Sequence, residues 1–279
     1  MAHIHTDSSS SQVVLITGAS SGIGKACAEY LHDLGYRVYG TSRRETGNLT
    51  TSKFMLIRMD VNNDQSVADG IDLILSREGR IDAVINNAGI GISGAVEDTA
   101  LDEAKAQFET NFFGVLRVCR KVLPVMRNQG GGRIINIGSV AGVIGVPFNG
   151  IYSASKSALM GLSEALRIEV KPHGIHVTLV ESGDINTSMS ARSPETRESA
   201  SNSIYRSNLS ATRDVMARDE DEGPPPSVVA YLVANILKVT TPRPRYRVGP
   251  FMEKVAVFMK VVLPATFFEW LLKTYYRIR

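Results

Sequence analysis

The chain has 279 residues, 43% of them hydrophobic and 21% charged, the balance of a soluble globular protein able to bury a substantial core. A formal net charge of +3 is too small to imply nucleic acid as a partner. The two cysteines, Cys27 and Cys119, lie in apolar-periodic segments, which excludes a disulfide framework and fits a reducing, cytoplasmic setting.

Residues 1–11 have no apolar run of signal-peptide length and read as a disordered leader; His3 and His5 are too few for a metal site. From residue 12 onward, short β-branched runs alternate with helix-period segments. VVLIT (13–17) leads into a helix ending near Leu34, YRVYGT (36–41) follows, and FMLIRMD (54–60) precedes a helix from about Asp64. IDAVINN (81–87) precedes one long helix from about Leu101 to Met126, GRIINIGS (132–139) leads into a helix containing residues 151–166, and GIHVTLVE (174–181) is the last long strand of the series. Near-continuous apolar strands separated by helices define an α/β, doubly wound parallel sheet covered on both faces. The regular domain spans 12–249, with residues 186–226 an insertion rich in Ser, Arg and acids that suits a partly helical lid. A helix over about 227–238 and the run RYRV precede a C-terminal helical extension, 250–279. Residues 241–279 hold eight Lys/Arg against two acids, or +6, which leaves the rest of the chain at −3.

Ligands of such sheets bind beyond the carboxyl ends of the strands. The first strand runs into TGASSGIG, where Gly18, Gly22 and Gly24 give positive φ and close backbone approach. Ser20, Ser21 and Ile23 complete a turn that aims helix N–H groups at a pyrophosphate. The second strand ends in Ser42, where an acid would hold a ribose 2′-hydroxyl, and Arg43 and Arg44 follow. Arginine clamps a 2′-phosphate through charge-assisted hydrogen bonds, so the expected cofactor is NADP(H).

Tyr152 and Lys156 stand four apart, on one face of a helix, and Ser139 ends the strand before it. A free phenol titrates near ~10, and a neighbouring ammonium is expected to bring it towards neutral pH. Ser139 is placed to hydrogen-bond a substrate oxygen as charge develops there. TGASSGIG, NNAG (86–89), Asn111, Ser139 and YSASK (152–156), in this order and at these separations, resemble the short-chain dehydrogenase/reductase family over about residues 12–190.

The resemblance implies a Rossmann-like fold, with Tyr152 as acid/base, Ser139 orienting substrate and Lys156 also holding the nicotinamide ribose. It implies that Asn111 maintains a water-linked proton relay, that Asp60 and Val61 contact adenine, and that Asn87, Ala88 and Gly89 lie against the cofactor. Gly183, Ile185 and Thr187 match the nicotinamide loop, although Ser182 stands where the family usually has proline. Assembly as a homodimer or homotetramer through helices near 101–126 and 152–170 is implied in the same way.

The expected activity is NADP(H)-dependent interconversion of an alcohol and its carbonyl. The loop VESGDINT resembles the branch acting on steroids, retinoids and other lipophilic compounds, and Val143, Ile144, Val146 and Phe148 either wall an apolar cleft or join the core. A 3-oxoacyl thioester reductase is the enzymatic alternative, and a non-catalytic NADP(H)-binding sensor or scaffold the alternative from another class. In the extension, Val255, Phe258, Met259 and Val262, then Phe267, Trp270, Leu271 and Thr274, follow helix spacing. These helices either cover the cleft or a subunit interface, or lie on a membrane surface with basic residues towards the headgroups.

Overall fold

A computed structural model describes residues 11–44, 53–187, 189–201 and 203–278, so the leader apart from residue 11 lies outside the described residues, as do His3 and His5. Seven strands form one sheet: β1 (Val13–Ile16), β2 (Arg37–Ser42), β3 (Met55–Arg58), β4 (Ala83–Asn86), β5 (Gly132–Ser139), β6 (Ile175–Ser182) and β7 (Arg245–Val248). Every pairing is parallel, and the order is β3-β2-β1-β4-β5-β6-β7. The chain reverses its direction of travel across the sheet between β1 and β4, the crevice where this kind of sheet takes ligands.

The helices in chain order are α1 (Gly22–Asp33), α2 (Asp64–Glu78), α3 (Leu101–Phe108), α4 (Gly114–Asn128), α5 (Gly150–Val170), α6 (Met189–Arg192), α7 (Arg197–Ser201), α8 (Arg206–Asp221), α9 (Ser227–Lys238), α10 (Phe251–Val262) and α11 (Ala265–Tyr275). Because strands alternate their side chains, the sheet feeds two cores. Leu15, Val84 and Ile134 pack with Ile71 of α2, Val118 and Val122 of α4, and Leu159 of α5; Val14, Ile16 and Ile85 pack with Cys27 and Leu31 of α1 and Val229 and Val233 of α9. Each such side chain, fully buried, contributes roughly 1.5–3 kcal/mol.

Three features bear on the site, and the first and last differ from the sequence reading. The expected single helix over 101–126 is broken by a π-helical turn, Glu109–Phe113, in which Gly114 N–H bonds Glu109 O and Asn111 sits mid-turn. Residues 186–226, read as partly helical, carry three helices, α6, α7 and α8. In the extension, the face named from its spacing is partly the outer one: Val257 and Phe268 are buried, whereas Phe258, Val262, Phe267 and Trp270 are exposed. The two short helices bury the stripe that meets the loop after β5, where Val140 and Ile144 form a third apolar cluster with Val257 and Phe268. Spacing marks apolar faces on these helices without telling which one finds the domain.

Candidate active site

The glycine turn opens at the end of β1. Gly18 has φ +67°, and a Cβ on it would lie 2.9 Å from the Cα of Ala88, so only glycine lets the two loops touch. Ser21 is the N-cap of α1 but makes no side-chain cap, and the first turn carries no acid. The first-turn N–H groups of Gly22, Ile23 and Gly24 thus face the carboxyl edge of the sheet with the positive end of the helix dipole behind them, a set that fits a pyrophosphate. Ser42 is buried and accepts the N–H of Arg44, while Arg43 and Arg44 are exposed at the same edge.

Thr17 is the residue that sequence reading passed over. Its hydroxyl oxygen accepts the N–H groups of Asn87 (2.9 Å) and Ala88 (3.0 Å), and Asn87 Nδ2 donates back to Thr17 O and Gly18 O. Asn87 therefore spends its side chain on binding β4's exit to β1's exit, and leaves the backbone of Ala88 and Gly89 to line the crevice. Its position directly before Gly18, at a strand end, was the available signal. Asp60 accepts the N–H of Asn62 and Val61 is buried, so this pair holds the rim beyond β3.

Across β4, Asn111 is buried and fully used. Its Oδ1 accepts Ile90 N–H at 2.9 Å, and its Nδ2 donates to Ile90 O and to Ser155 Oγ, each at 3.0 Å. Ser155 Oγ in turn donates to Tyr152 O at 2.7 Å. The π turn rotates Asn111 inward, where it ties the segment after Gly89 to the helix that carries Tyr152 and Lys156.

Lys156 is buried, and its Nζ donates to Ile137 O at 2.9 Å, 5.7 Å from the centre of the Tyr152 ring. Desolvation pushes the ammonium down to about 8. Tyr152, half-buried, is pushed up to about 12: burial is the larger cause, the Ser139 hydroxyl hydrogen-bonded to the phenol acts the other way, and the carboxyl groups of Asp184 and Glu220 add to the rise. This corrects the expectation that the lysine brings the phenol towards neutral pH; in the protein alone, desolvation wins. A phenol raised in this way keeps its proton through the neutral range. Ser139 also accepts the N–H of Ala141, which fixes its hydroxyl at the end of β5.

The loop after β6 runs back over this edge. Ile185 is buried, and Thr187 donates to Glu220 from both its N–H and its hydroxyl, while Met189 and Ser190 N–H also bond the Glu220 carboxylate. Thr187 lies 3.4 Å from where a Gly22 side chain would start, so the loop closes on the phosphate turn. Glu220 was hidden in the acidic run DEDEG, which reads as a solvated surface. Of the four apolar residues read as either cleft wall or core, Ile144 joins the cluster with Val257 and Phe268 and Val143 packs against it, whereas Phe148, at φ +57°, lies beside Tyr205 of the insertion, ring centres 6.3 Å apart.

Residues 12–198 match the short chain dehydrogenase family. The chain is 40% identical over 268 residues to the 3-ketodihydrosphingosine reductase of Bacteroides thetaiotaomicron, covering 96% of this chain and 99% of that one. It is 37% identical over 189 residues to human 17-beta-hydroxysteroid dehydrogenase type 1, covering 63% of this chain and 57% of that one. A crystal structure of a short-chain dehydrogenase from Streptomyces avermitilis superposes with a TM-score of 0.81 at 31% identity, covering 94% of this chain and 97% of that one. The protein therefore belongs to the short-chain dehydrogenase/reductase family, an oxidoreductase family that uses a nicotinamide cofactor.

Proposed function

We propose that the protein is an NADP(H)-dependent reductase of a lipophilic ketone, with a long-chain 3-keto amino alcohol of the sphingoid class as the first substrate to test. What carries this reading is the buried group formed by Ser139, Tyr152 and Lys156 at the carboxyl ends of the strands. The sphingoid class is suggested by the Bacteroides relative, which matches this chain along nearly its full length. Arg43 and Arg44, with no acid at the end of β2, support NADP(H) over NAD(H).

NADPH, when bound, supplies the hydride. The first-turn N–H groups of α1 would hold its pyrophosphate, Arg43 and Arg44 its 2′-phosphate, and Lys156 its nicotinamide ribose. Ser139 donates a hydrogen bond to the substrate carbonyl oxygen, which fixes the ketone beside the phenol. Tyr152 gives that oxygen its proton as negative charge builds there, and the raised phenol pKa keeps the proton available through the neutral range. The Lys156 cation offsets the phenolate left behind, and Asn111 holds the segment through which that proton is replaced. One ketone, one NADPH and one proton become one alcohol and NADP⁺.

The exposed outer face of α10 and α11 supports peripheral attachment to a lipid surface. Phe251, Phe258, Val261 and Trp270 are all more than half exposed, Lys254 and Lys273 stand among them, and the inner face of the same helices packs on the loop after Ser139. Exposed Phe113 and Ile168 on the outer side of the sheet's helices suit assembly with a second copy. The reaction is tested by NADPH oxidation with 3-ketodihydrosphingosine, steroid ketones and acyl-thioester ketones. Turnover of the sphingoid ketone that Tyr152→Phe abolishes while NADPH still binds is expected; turnover kept by that variant rejects the assignment, and activity on the thioester alone transfers the reading to an oxoacyl reductase.

A further inference from the structure

The loop read as the nicotinamide loop starts at Ser182 and Gly183, and α10 packs against that start. Gly183 N–H donates to Val248 O at 2.8 Å, which ends the β6 and β7 pairing. The next N–H, that of Asp184, donates to the Glu253 carboxylate at 2.9 Å, and the two carboxyl groups share a hydrogen bond. Glu253 Oε2 lies where the Cβ of any other residue at 183 would be, so the carboxylate seats against the glycine itself. Glu253 is the third residue of α10, and that helix is held on the domain by Val257 in the apolar cluster and by Lys260, which donates to Val143 O. From the opposite side, Glu220 holds Thr187.

We propose that Glu253 is a positioning residue for the nicotinamide end of the cofactor: its carboxylate, carried by the C-terminal helix, fixes Gly183 and Asp184 so that the loop to Thr187 keeps its cofactor-binding form. The inference rests on the reading of residues 183–187 as the nicotinamide loop. It accounts for a helix outside the sheet having an acid on its inward face, where desolvation raises the pKa of the carboxyl pair and pushes Asp184 up to about 8. A proton shared between the two carboxyls lets them approach without repulsion. The titratable groups facing the pair are Asp219 and Glu220 from α8, Lys254 from α10, Tyr152 from α5, and the phenols of Tyr275 and Tyr276 at the end of α11.

The test measures NADPH dissociation by fluorescence on the full-length protein, with thermal unfolding alongside. Glu253→Ala is expected to raise the NADPH dissociation constant about tenfold, the equivalent of one charge-assisted hydrogen bond. Glu253→Gln keeps an acceptor for Asp184 N–H and is expected to restore most of the affinity. Gly183→Ala is expected to weaken binding in the parent, and by less when Glu253 is already alanine, since the clash is with that carboxylate. In the parent, affinity is expected to fall as pH rises through about 8, where Asp184 loses the shared proton, and the Gln variant, which has no second carboxylate to repel, is expected to show a smaller fall. If Glu253→Ala is too unstable to purify, the Gln variant's pH profile decides alone. Folded Ala or Gln variants with the parent's affinity and pH profile overturn the inference while leaving the cofactor reading intact. A parent that binds neither NADPH nor NADH overturns both.

Discussion

Lys156 shows how a single residue serves activity against stability. Its ammonium is buried and its pKa lowered from 10.5 to about 8, so the folded state disfavours the charged form. The cost to folding is absent above the unfolded value of 10.5, accrues as pH falls towards about 8, and is complete below that. Lys156→Met is therefore expected to abolish turnover and to raise folding stability at pH 7 by roughly 2–3 kcal/mol, less the lost bond to Ile137 O, with the gain vanishing towards pH 10.5. Denaturant melts at pH 7 and pH 10 check this, and a variant destabilised at both rejects it. In turnover, the parent's rate of reduction is expected to fall as pH rises through about 8, as the cation beside Tyr152 is lost. At the same scale, the proposed NADP(H) preference rests on Arg43 and Arg44. Replacing both with glutamate is expected to lower kcat/KM for NADPH by at least about a hundredfold while affecting NADH far less, because each charge-assisted contact is worth about 1.5–3 kcal/mol. Equal losses for both cofactors remove their role.

Among the elements, β6 and β7 are held together by charge as well as by backbone pairing. Glu181 is 1% exposed, and one of its oxygens accepts two hydrogen bonds from Arg247, at 2.8 and 2.6 Å. Arg245 approaches the other oxygen at 3.5 Å and also pairs with Glu164 of α5. Removing one member of a buried pair costs far more than the pair's net value, because the partner is left uncompensated. Glu181→Ala is expected to cost about 3 kcal/mol in a urea melt and to weaken the seat of β7, and so of α10 behind it. A loss under 1 kcal/mol means that solvent already screens the two arginines. Glu220 plays an equivalent part for the insertion: four donors from Thr187, Met189 and Ser190 converge on it, which ties the start of the insertion to the end of α8.

At the scale of the whole molecule, the C-terminal extension has two apolar faces. One is buried on the loop after β5, and the other leaves Phe258 at 66%, Val261 at 79% and Trp270 at 56% exposure. No helix among the described residues is long and apolar enough to cross a membrane. An outer face of this kind, with lysines among its aromatics, suits the interfacial layer of an anionic bilayer. Flotation with phosphatidylglycerol vesicles is expected for the full-length protein, and to be lost on Phe258→Ser/Trp270→Ser with the oligomeric state by light scattering unchanged. Conversion of that variant to a smaller species, with no flotation by the parent, assigns the face to a second copy.

The alternation of apolar strands and helices, the glycine turn and the order of Asn111, Ser139, Tyr152 and Lys156 were legible in the chain, because periodicity and local turn chemistry are set by neighbours in sequence. So was the absence of an acid after β2. Thr17, Glu220 and Glu253 were not, because each works on a partner distant in the chain: 70 residues from Thr17 to Asn87, 33 from Thr187 to Glu220 and 69 from Asp184 to Glu253. An acid in DEDEG or FMEK reads as solvated until the fold buries it. The sequence by itself determined the parallel sheet and singled out the residues proposed for the chemistry; the tertiary structure alone decided how burial shifts Tyr152 and Lys156 and which face of the last helices is buried, since desolvation and docking depend on groups brought together across the fold.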